Sequence, residues 1–241
     1  MKILITNDDG IDALGLKLLA EWAKKYGEVT VVAPKRGQSA KSHAIEIVEA
    51  FEIKQVPYLD GITAYSVDST PADCVRFGIV GLKQKYDVVF SGINRGVNVG
   101  DDIVYSGTIA AVFEAVKQGV KAIAFSSFPD EQEAAAKHLD EAYGYVLGKG
   151  LFDHAPMYNI NIPAESKGIR MTYQGTTYYS DDFEKVEGTE NMYRQVGDLI
   201  PDLHPDDLNR DTVAIHAGYT TVTPLIETRT DMAVYEKFKT E

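Results

Sequence analysis

Residues 2–10, KILITNDDG, join a short apolar run to two adjacent acids. The apolar run has the composition of a buried β-strand, predicted as Lys2–Thr6. Asp8 and Asp9 follow it directly, and neighbouring carboxylates repel each other. On this segment alone, a solvated turn in which one of these acids or Asp12 caps the next helix is slightly favoured over a bound divalent cation. The segment therefore predicts a strand and leaves the role of its acids open.

Three further apolar runs repeat this strand pattern between helical patterns. They are predicted as the strands Val29–Ala33, Asp87–Ser91 and Lys121–Ser126. Because apolar residues occupy both faces of these runs, we expect helices on both sides of the sheet. Apolar residues at helical spacing predict helices over 13–26, from about Thr108 onwards and over 131–147. The alternation predicts an α/β fold, a Rossmann-like three-layer sandwich with a mostly parallel central sheet.

The pattern changes after about residue 150, where short strand-like runs alternate with polar turns. These runs predict the strands Met157–Ile162, Ile169–Thr176, Thr177–Phe183, Met192–Val196 and Tyr219–Thr223. The acidic stretch Asp198–Asp211 is predicted as a loop. We expect an α/β core over residues 1–165 and a β-rich segment over residues 166–241, containing a β-hairpin extension. That segment is expected to serve as an oligomerisation arm and to return to the core.

Composition limits what the chain binds. Its 241 residues carry a formal net charge of −12, which disfavours nucleic-acid polymers and anionic membranes because both are polyanions. A small phosphorylated ligand stays open, since a local cation reverses the field at one site. The single cysteine, Cys74, excludes an internal disulfide and a cysteine zinc cluster. The chain has no signal-peptide pattern and no membrane-length apolar run, so we expect a cytoplasmic protein.

Two loops that follow later strands carry groups suited to phosphate. Residues 33–43 offer three cations, two hydroxyls and an imidazole, and residues 91–102 are rich in Gly and Asn. Tyr105-Ser-Gly-Thr108 then opens a helix, whose free N–H groups and hydroxyls are typical of a phosphate cradle. Each loop alone is equally typical of a solvated connection. Because three such loops all follow core strands, we favour a shared site at one edge of the sheet.

Other chemistries have weaker support in the sequence. The Gly/Asn loop matches neither the Walker A pattern nor GxGxxG, and no GxSxG elbow is present. The five histidines show no zinc-binding spacing. His43 alone lies within a candidate loop, where contact with phosphate or protonation of a leaving group is considered.

Six motifs occur together and in a fixed order. They are ILITNDDG at 3–10, VVAP at 31–34, STPADCV at 69–75, SGINRGVN with GDD and YSGT at 91–108, NINIP at 159–163 and GYTTVTPL at 218–225. In this combination the chain resembles the SurE family, the metal-dependent survival-protein nucleotidases, over nearly its whole length.

The resemblance implies a site, a cofactor and a reaction. Asp8, Asp9, Ser39 and Asn94 would hold the metal, with Asp8, Asp9 and Asn94 also catalytic, while Asn98, Ser106, Gly107 and Thr108 would line the phosphate pocket. The cofactor would be one divalent cation per subunit, Mg²⁺ or Mn²⁺. The reaction would be dephosphorylation of nucleoside 5′- and 3′-monophosphates and, in some members, trimming of polyphosphate. A homodimer or homotetramer with exchanged C-terminal β-segments is implied.

The residues and the resemblance agree on a phosphomonoesterase in which a cation-activated water attacks phosphorus. An aspartyl-phosphate formed on Asp8 or Asp9 ranks lower, because a metal-bound carboxylate is a poorer nucleophile. Two other classes stay open: a nucleotide-binding regulator without turnover and a metal-dependent sugar-nucleotide transferase.

The chain departs from the family pattern at two places. Ala40 stands where the family usually has Gly after the loop serine, and alanine adopts a positive φ less readily. The C-terminal part has Tyr193-Arg194 and Asn209-Arg210-Asp211 in place of Tyr-Trp and Gly-Thr-Asp. The first departure bears on substrate preference, and the second bears on the exchanged arm.

Overall fold

The computed structural model describes residues 1–239, which contain eleven strands and seven α-helices. The strands are β1 Lys2–Thr6, β2 Glu28–Pro34, β3 Ile53–Val56, β4 Thr63–Val67, β5 Val88–Arg95, β6 Ala122–Ser127, β7 Met157–Asn161, β8 Ile169–Met171, β9 Asp182–Lys185, β10 Tyr193–Val196 and β11 Thr220–Pro224. The helices are α1 Leu14–Ala23, α2 Pro71–Arg76, α3 Gly107–Lys117, α4 Gln132–Ala136, α5 Leu139–Gly148, α6 Asp211–His216 and α7 Met232–Phe238.

Nine of these strands form one sheet, in the order β3-β4-β2-β1-β5-β6-β7-β11-β8. The six consecutive strands β4, β2, β1, β5, β6 and β7 run parallel to one another. β3 and β11 run antiparallel to β4 and β7. This arrangement confirms the predicted mostly parallel central sheet.

The strand β1 shows why the sheet is buried on both faces. Ile3 and Ile5 face one side and Leu4 faces the other, as the pleat of a strand requires. Helices α1, α4 and α5 cover the Ile3 side, and α2 and α3 cover the Leu4 side. The result is the predicted three-layer sandwich, and all three β1 side chains are fully buried.

The C-terminal prediction needs correction. The predicted strand Ile169–Thr176 ends at Met171, and Tyr173 keeps only an isolated bridge to Arg210. The predicted strand over 177–183 is wrong for most of its length. There the backbone N–H groups of Tyr178 and Tyr179 donate to the side chain of Asp102 instead of to a neighbouring strand. The β9–β10 hairpin, which starts at Asp182, forms a separate two-stranded sheet.

Sequence patterns also missed several elements. β3 and β4 form one edge of the main sheet, and α6 and α7 were not predicted. The single helix predicted over 131–147 is two helices that break at Lys137 and His138. No glycine or proline marks this break, but His138 Nε2 lies 3.3 Å from the carbonyl oxygen of Ala164, a tertiary contact. Within residues 1–239, no helix has the length and apolarity needed to cross a bilayer.

Helix α1 lies unusually close to strand β5, which carries part of the candidate site. A Cβ added at Gly15 would lie 1.9 Å from the carbonyl oxygen of Ile93, which is far inside van der Waals contact. Gly144, in α5, has nothing within 4 Å of such a Cβ. Gly15 is therefore needed for the close packing of α1 on β5, whereas Gly144 makes no close contact, although both lie in helices.

We expect Gly15→Ala to lower the free energy of unfolding by about 2–3 kcal/mol, because backbone must move to admit the methyl group. Gly144→Ala is the matched control and should raise it by about 0.5–1 kcal/mol, as alanine favours a helix interior. Chemical denaturation of the three proteins measures both changes. Equal effects of the two substitutions would show that α1 does not depend on this close approach.

Candidate metal and phosphate site

The acidic segment leaves β1 through a turn closed by Asn7. The Asn7 amide donates to the carbonyl oxygen of Gly10 (3.0 Å), and the Gly10 N–H donates to Asn7 Oδ1 (3.2 Å). Gly10 has φ +107°, which a residue with a side chain adopts only with strain. Helix α1 begins at Leu14 without a side-chain cap, so neither acid nor Asp12 caps it. Asp8 and Asp9 are therefore free for another role at the sheet edge.

Asp8 is a buried carboxylate, with 5% of its surface exposed. The Thr108 hydroxyl donates to Asp8 Oδ1 at 2.5 Å. Burial raises the pKa of Asp8 to about 6, with the Thr108 hydrogen bond opposing the rise and the charge of Asp9 adding to it. The strand end thus carries a charge that costs free energy unless a cation balances it.

Asp9 lies beside the loop that follows β5. The backbone N–H of Arg95 donates to Asp9 Oδ2 at 3.0 Å. Burial raises the pKa of Asp9, and the contact with Arg95 opposes that rise. This hydrogen bond brings the β1 loop and the residues next to Asn94 together, as the sequence predicted for loops at one sheet edge.

Asn94 is placed by an irregularity in β5. The register between β5 and β6 shifts between Ser91 and Asn94, where Gly92 has φ +131°. A Cβ at Gly92 would lie 2.1 Å from the carbonyl oxygen of Phe125, so glycine is required there. The Asn94 amide nitrogen donates to the carbonyl oxygen of Gly96 (2.7 Å), which leaves the amide oxygen as the available acceptor. The bulge therefore places Asn94 outside the regular ladder of the strand, with its amide oxygen as the acceptor that this bond leaves available.

The Ser39 loop packs against the acidic segment through its backbone. The N–H of Gln38 donates to the carbonyl oxygen of Asp8 at 2.7 Å, and Ser39 itself is exposed. Further along, Ser42 donates through its N–H to Tyr105 and through its hydroxyl to Val104, which join this loop to the start of α3. These contacts hold the Ser39 loop beside Asp8 and the start of α3.

The residue Ala40 adopts the left-handed conformation, with φ +57°. Glycine occupies that conformation without steric cost, whereas alanine pays roughly 1 kcal/mol for it. The loop therefore keeps a glycine-like backbone at the position where the chain departs from the family pattern.

The start of α3 faces Asp8. Ser106 caps the helix by accepting a hydrogen bond from the N–H of Ile109 (3.1 Å). A Cβ at Gly107 would lie 2.8 Å from the Asp8 Cβ, so only glycine lets the helix approach this closely. With Thr108 on Asp8, the first turn presents N–H groups and the positive end of the helix dipole next to the acids. The start of a helix is a position at which an anion such as phosphate would be stabilised.

Asn98 is held by a polar network that sequence reasoning did not assign. Its N–H donates to Asn161 Oδ1 (2.7 Å), and its amide donates to the hydroxyl of Ser126 (2.8 Å). Its carbonyl oxygen accepts from the amides of Asn159 (2.8 Å) and Asn161 (2.9 Å). Asn159 and Asn161 lie two residues apart on β7, and therefore on one face. The alternation of Asn159 and Asn161 in NINIP is the sequence signal that indicates this network.

A second unassigned residue, Asp211, anchors the same loop from the C-terminal segment. Its carboxylate accepts from the N–H groups of Gly100 (3.2 Å) and Gly175 (2.7 Å). Burial raises the pKa of Asp211 to about 6, against the backbone hydrogen bonds it accepts. The chain has Asn209-Arg210-Asp211 where the family pattern is Gly-Thr-Asp, so Asp211 is the one residue of that pattern that it keeps.

His43 is held by a buried acid of α3. Its Nε2 lies 3.0 Å from Glu114 Oε2, and Glu114 also accepts from Arg76 and Gln118. Burial favours the neutral acid, but hydrogen bonds from His43 and Gln118 hold the pKa of Glu114 below its usual value. The imidazole is thus fixed to the flank of α3.

The residue types in the acidic segment and in the two loops packed beside it fit a hard divalent cation. Two carboxylates, an amide oxygen and a hydroxyl are the oxygen ligands that Mg²⁺ and Mn²⁺ prefer. Within residues 1–239, no group of three or more His, Cys, Asp or Glu side chains is arranged as a metal site. A cation here would therefore need amide or hydroxyl donors as well as the two acids.

The fold and this site define a class of protein. It is a doubly wound α/β protein with an acidic strand end facing a helix start, an arrangement suited to a cation and a phosphate group. The family model described as "Survival protein SurE" matches residues 3–181. The chain belongs to the SurE family.

Similar proteins extend over almost all of the chain. The "5'-nucleotidase SurE" of Thermoanaerobacter sp. (strain X514) is 40% identical over 233 residues, covering 93% of this chain and 92% of that protein. The "5'-nucleotidase SurE" of Thermosipho melanesiensis is also 40% identical, over 235 residues, covering 93% and 91%. The crystal structure of SurE protein from Aquifex aeolicus has a TM-score of 0.82 at 33% identity and covers 99% of this chain and 98% of that one.

The raised pKa of Asp8 gives a prediction for metal-free protein. Because the folded pKa of about 6 exceeds the unfolded value of 3.8, the stability linked to this group is full below pH 3.8 and is lost as the pH rises through 6. In chelator at pH 8, Asp8→Asn should therefore raise the free energy of unfolding by about 1–2 kcal/mol, and the gain should shrink at pH 5.

Thermal and chemical unfolding at the two pH values measure this change, with Asp12→Asn as the control in the same loop. Adding Mn²⁺ should stabilise the parent protein and leave Asp8→Asn nearly unaffected. A parent protein that is more stable than Asp8→Asn in chelator at pH 8 would contradict the assignment of a desolvated charge.

Proposed function

We propose that the protein is a metal-dependent phosphomonoesterase that hydrolyses nucleoside 5′- and 3′-monophosphates to nucleoside and phosphate. The observation that carries the proposal is the buried Asp8 carboxylate, held against the phosphate-binding start of α3 by Thr108. A charge buried beside an anion site requires a cation between them, and a phosphate ester is the substrate that this combination suits. The names of the relatives, 5'-nucleotidases, support the same reaction class.

Each site residue has a role in this proposal. Asp8, Asp9, Ser39 and Asn94 would hold the metal, with Asp8, Asp9 and Asn94 acting in catalysis. A bound cation would neutralise phosphate charge and lower the pKa of the attacking water. Asn98 and the first turn of α3, formed by Ser106, Gly107 and Thr108, would bind the phosphate oxygens and stabilise the charge that develops on them.

Water is the nucleophile in this proposal. Thr108 donates to Asp8 Oδ1, and the Arg95 N–H donates to Asp9 Oδ2. The second oxygen of each carboxylate stays available to a cation, and a carboxylate bound to a cation is a poorer nucleophile than the water that the cation activates. Direct attack of water is therefore proposed in preference to an aspartyl-phosphate. Hydrolysis likewise agrees better with the relatives than a non-hydrolytic regulator or a sugar-nucleotide transferase does.

The finer assignments belong to the same proposal. We propose one divalent cation per subunit, Mg²⁺ or Mn²⁺, polyphosphate as a further substrate, and a cytoplasmic location. We also propose an α/β core over 1–165 and an oligomerisation arm over 166–241, in a homodimer or homotetramer. The β9–β10 hairpin supports the proposal of an arm: within residues 1–239 its two strands pair only with each other, and it exposes Phe183, Met192 and Tyr193.

Phosphate release tests the proposed reaction. Purified protein is incubated with nucleoside 5′- and 3′-monophosphates and Mn²⁺, Mg²⁺ or chelator, and free phosphate is measured. We expect metal-dependent release, reduced roughly 100-fold or more by Asp8→Asn or Asp9→Asn because each variant removes a charged ligand. Asp12→Asn, the same chemical change on an exposed residue of the loop, should keep parental turnover.

Other outcomes of the same assay point to the other classes. Near-parental turnover in both Asp8→Asn and Asp9→Asn would overturn the assignment of the acids. Binding of nucleotide without release would indicate the regulator, and consumption of sugar nucleotides alone would indicate the transferase.

A further inference from the structure

One short segment joins the two parts of the proposed phosphate site. Asn98 and Ser106 lie eight residues apart in the chain, and a 3₁₀ helix, Gly100–Tyr105, occupies most of the distance between them. The N–H of Ser106 donates to the carbonyl oxygen of Ile103 (3.1 Å), which ties the start of α3 to this connecting 3₁₀ helix. The position of the connecting 3₁₀ helix therefore sets how far Asn98 lies from the first turn of α3.

One acid of the connecting 3₁₀ helix holds the main chain of the C-terminal segment. Asp102 Oδ2 accepts hydrogen bonds from the backbone N–H groups of Tyr178 (2.9 Å) and Tyr179 (2.8 Å). Hydrogen bonds to an ionised carboxylate are roughly twice as strong as those between neutral groups. Tyr178 is buried and Asp102 is half-buried, so their contact is partly shielded from water. Asp102 therefore fixes the 3₁₀ helix and the segment at 178–179 to each other.

A second contact holds the beginning of the connecting 3₁₀ helix. The carboxylate of Asp211 accepts from the N–H of Gly100 (3.2 Å) and from that of Gly175 (2.7 Å). A Cβ at Gly100 would lie 2.0 Å from the carbonyl oxygen of Thr176, which is far inside van der Waals contact. The C-terminal segment and the 3₁₀ helix therefore pack against each other backbone to backbone.

Apolar packing joins the same two segments. Val99, the residue after Asn98, is 1% exposed and packs in one small cluster with Tyr178 and Ile215, both from the C-terminal segment. Withdrawal of the C-terminal segment would return the Val99 side chain to water, which costs free energy. The backbone next to Asn98 is therefore held in place by the same segment that Asp102 binds.

We propose that Asp102 is a positioning residue for phosphate binding. By holding the N–H groups of Tyr178 and Tyr179, it keeps the connecting 3₁₀ helix in place and so fixes Asn98 relative to Ser106 and the first turn of α3. The proposal rests on the proposed function, because that function assigns Asn98 and the start of α3 to phosphate. It makes the main chain of the C-terminal segment a support of the phosphate site.

Thermodynamic linkage allows a test that does not depend on turnover. If the hydrogen bonds from Tyr178 and Tyr179 to Asp102 favour phosphate binding, bound phosphate must favour those hydrogen bonds to the same degree. Inorganic phosphate, added with Mn²⁺, should therefore slow hydrogen exchange at the N–H groups of Tyr178 and Tyr179 in the parent protein, as measured by NMR. The N–H of Val186, which donates to Met192 within the β9–β10 hairpin, is the internal reference and should not change.

Variants at two adjacent acids test the same role by calorimetric titration with inorganic phosphate and with Mn²⁺. Asp102→Ala should weaken phosphate binding about tenfold, an effect typical of a residue that couples to a site without contacting the ligand, and should leave Mn²⁺ affinity at the parental value. Asp102→Asn keeps an acceptor oxygen and should lose less. Asp101→Ala removes the same charge from an exposed residue that binds only the Gln174 side chain (2.9 Å), and should keep parental phosphate affinity.

The outcomes separate this role from the proposed function. A parent protein that binds phosphate but releases none from nucleoside monophosphates would contradict the proposed function, and phosphate affinities alone would then decide the role of Asp102. That role is overturned if Asp102→Ala binds phosphate as Asp101→Ala does, if it loses Mn²⁺ affinity to the same extent, or if the parent protein binds no phosphate. Should Asp102→Ala fail to fold, Asp102→Asn and the exchange measurement decide, and exchange at Tyr178 and Tyr179 that phosphate leaves unchanged overturns the role.

Discussion

The hydrogen bond between Thr108 and the buried carboxylate of Asp8 joins the central strand to the helix that follows the Gly/Asn loop. It fixes the end of β1 against the positive end of a helix dipole, where negative charge is least costly. The bond does not remove the cost of burial, as the raised pKa of Asp8 shows. The strand end therefore carries a buried charge that a cation would balance, and the neighbouring loops pack around it.

Close backbone approach is the second constraint on the site. Because these glycines have no side chain, Gly107 can lie close to Asp8, Gly92 close to the carbonyl of Phe125, and Gly15 close to the carbonyl of Ile93. In each case a methyl group would overlap protein atoms, so the glycines set the distances between layers at the site. Specific chemistry here depends on residues without side chains as much as on the acids themselves.

The C-terminal segment contributes to the site although its own strands are short. Asp211 accepts hydrogen bonds from Gly100 and Gly175, and Asp102 accepts from Tyr178 and Tyr179. These bonds use backbone N–H groups that an extended sheet would have used, which is why the predicted strand over 177–183 does not form. The loop that carries Asn98 is thereby held from β7 on one side and from the C-terminal segment on the other.

The sequence by itself determined the central strands, the three-layer arrangement and the loops that follow them at one edge of the sheet, because hydrophobic periodicity and glycine-rich turns are local signals. It did not indicate β3, β4, the break at His138 or the support of Asn98 by Asn159 and Asn161. Those features were decided by the tertiary structure, because each depends on hydrogen bonds or packing between residues far apart in the chain. The position of His43 shows the difference: the sequence placed it in a candidate loop, and only packing against Glu114 directed it to the flank of α3.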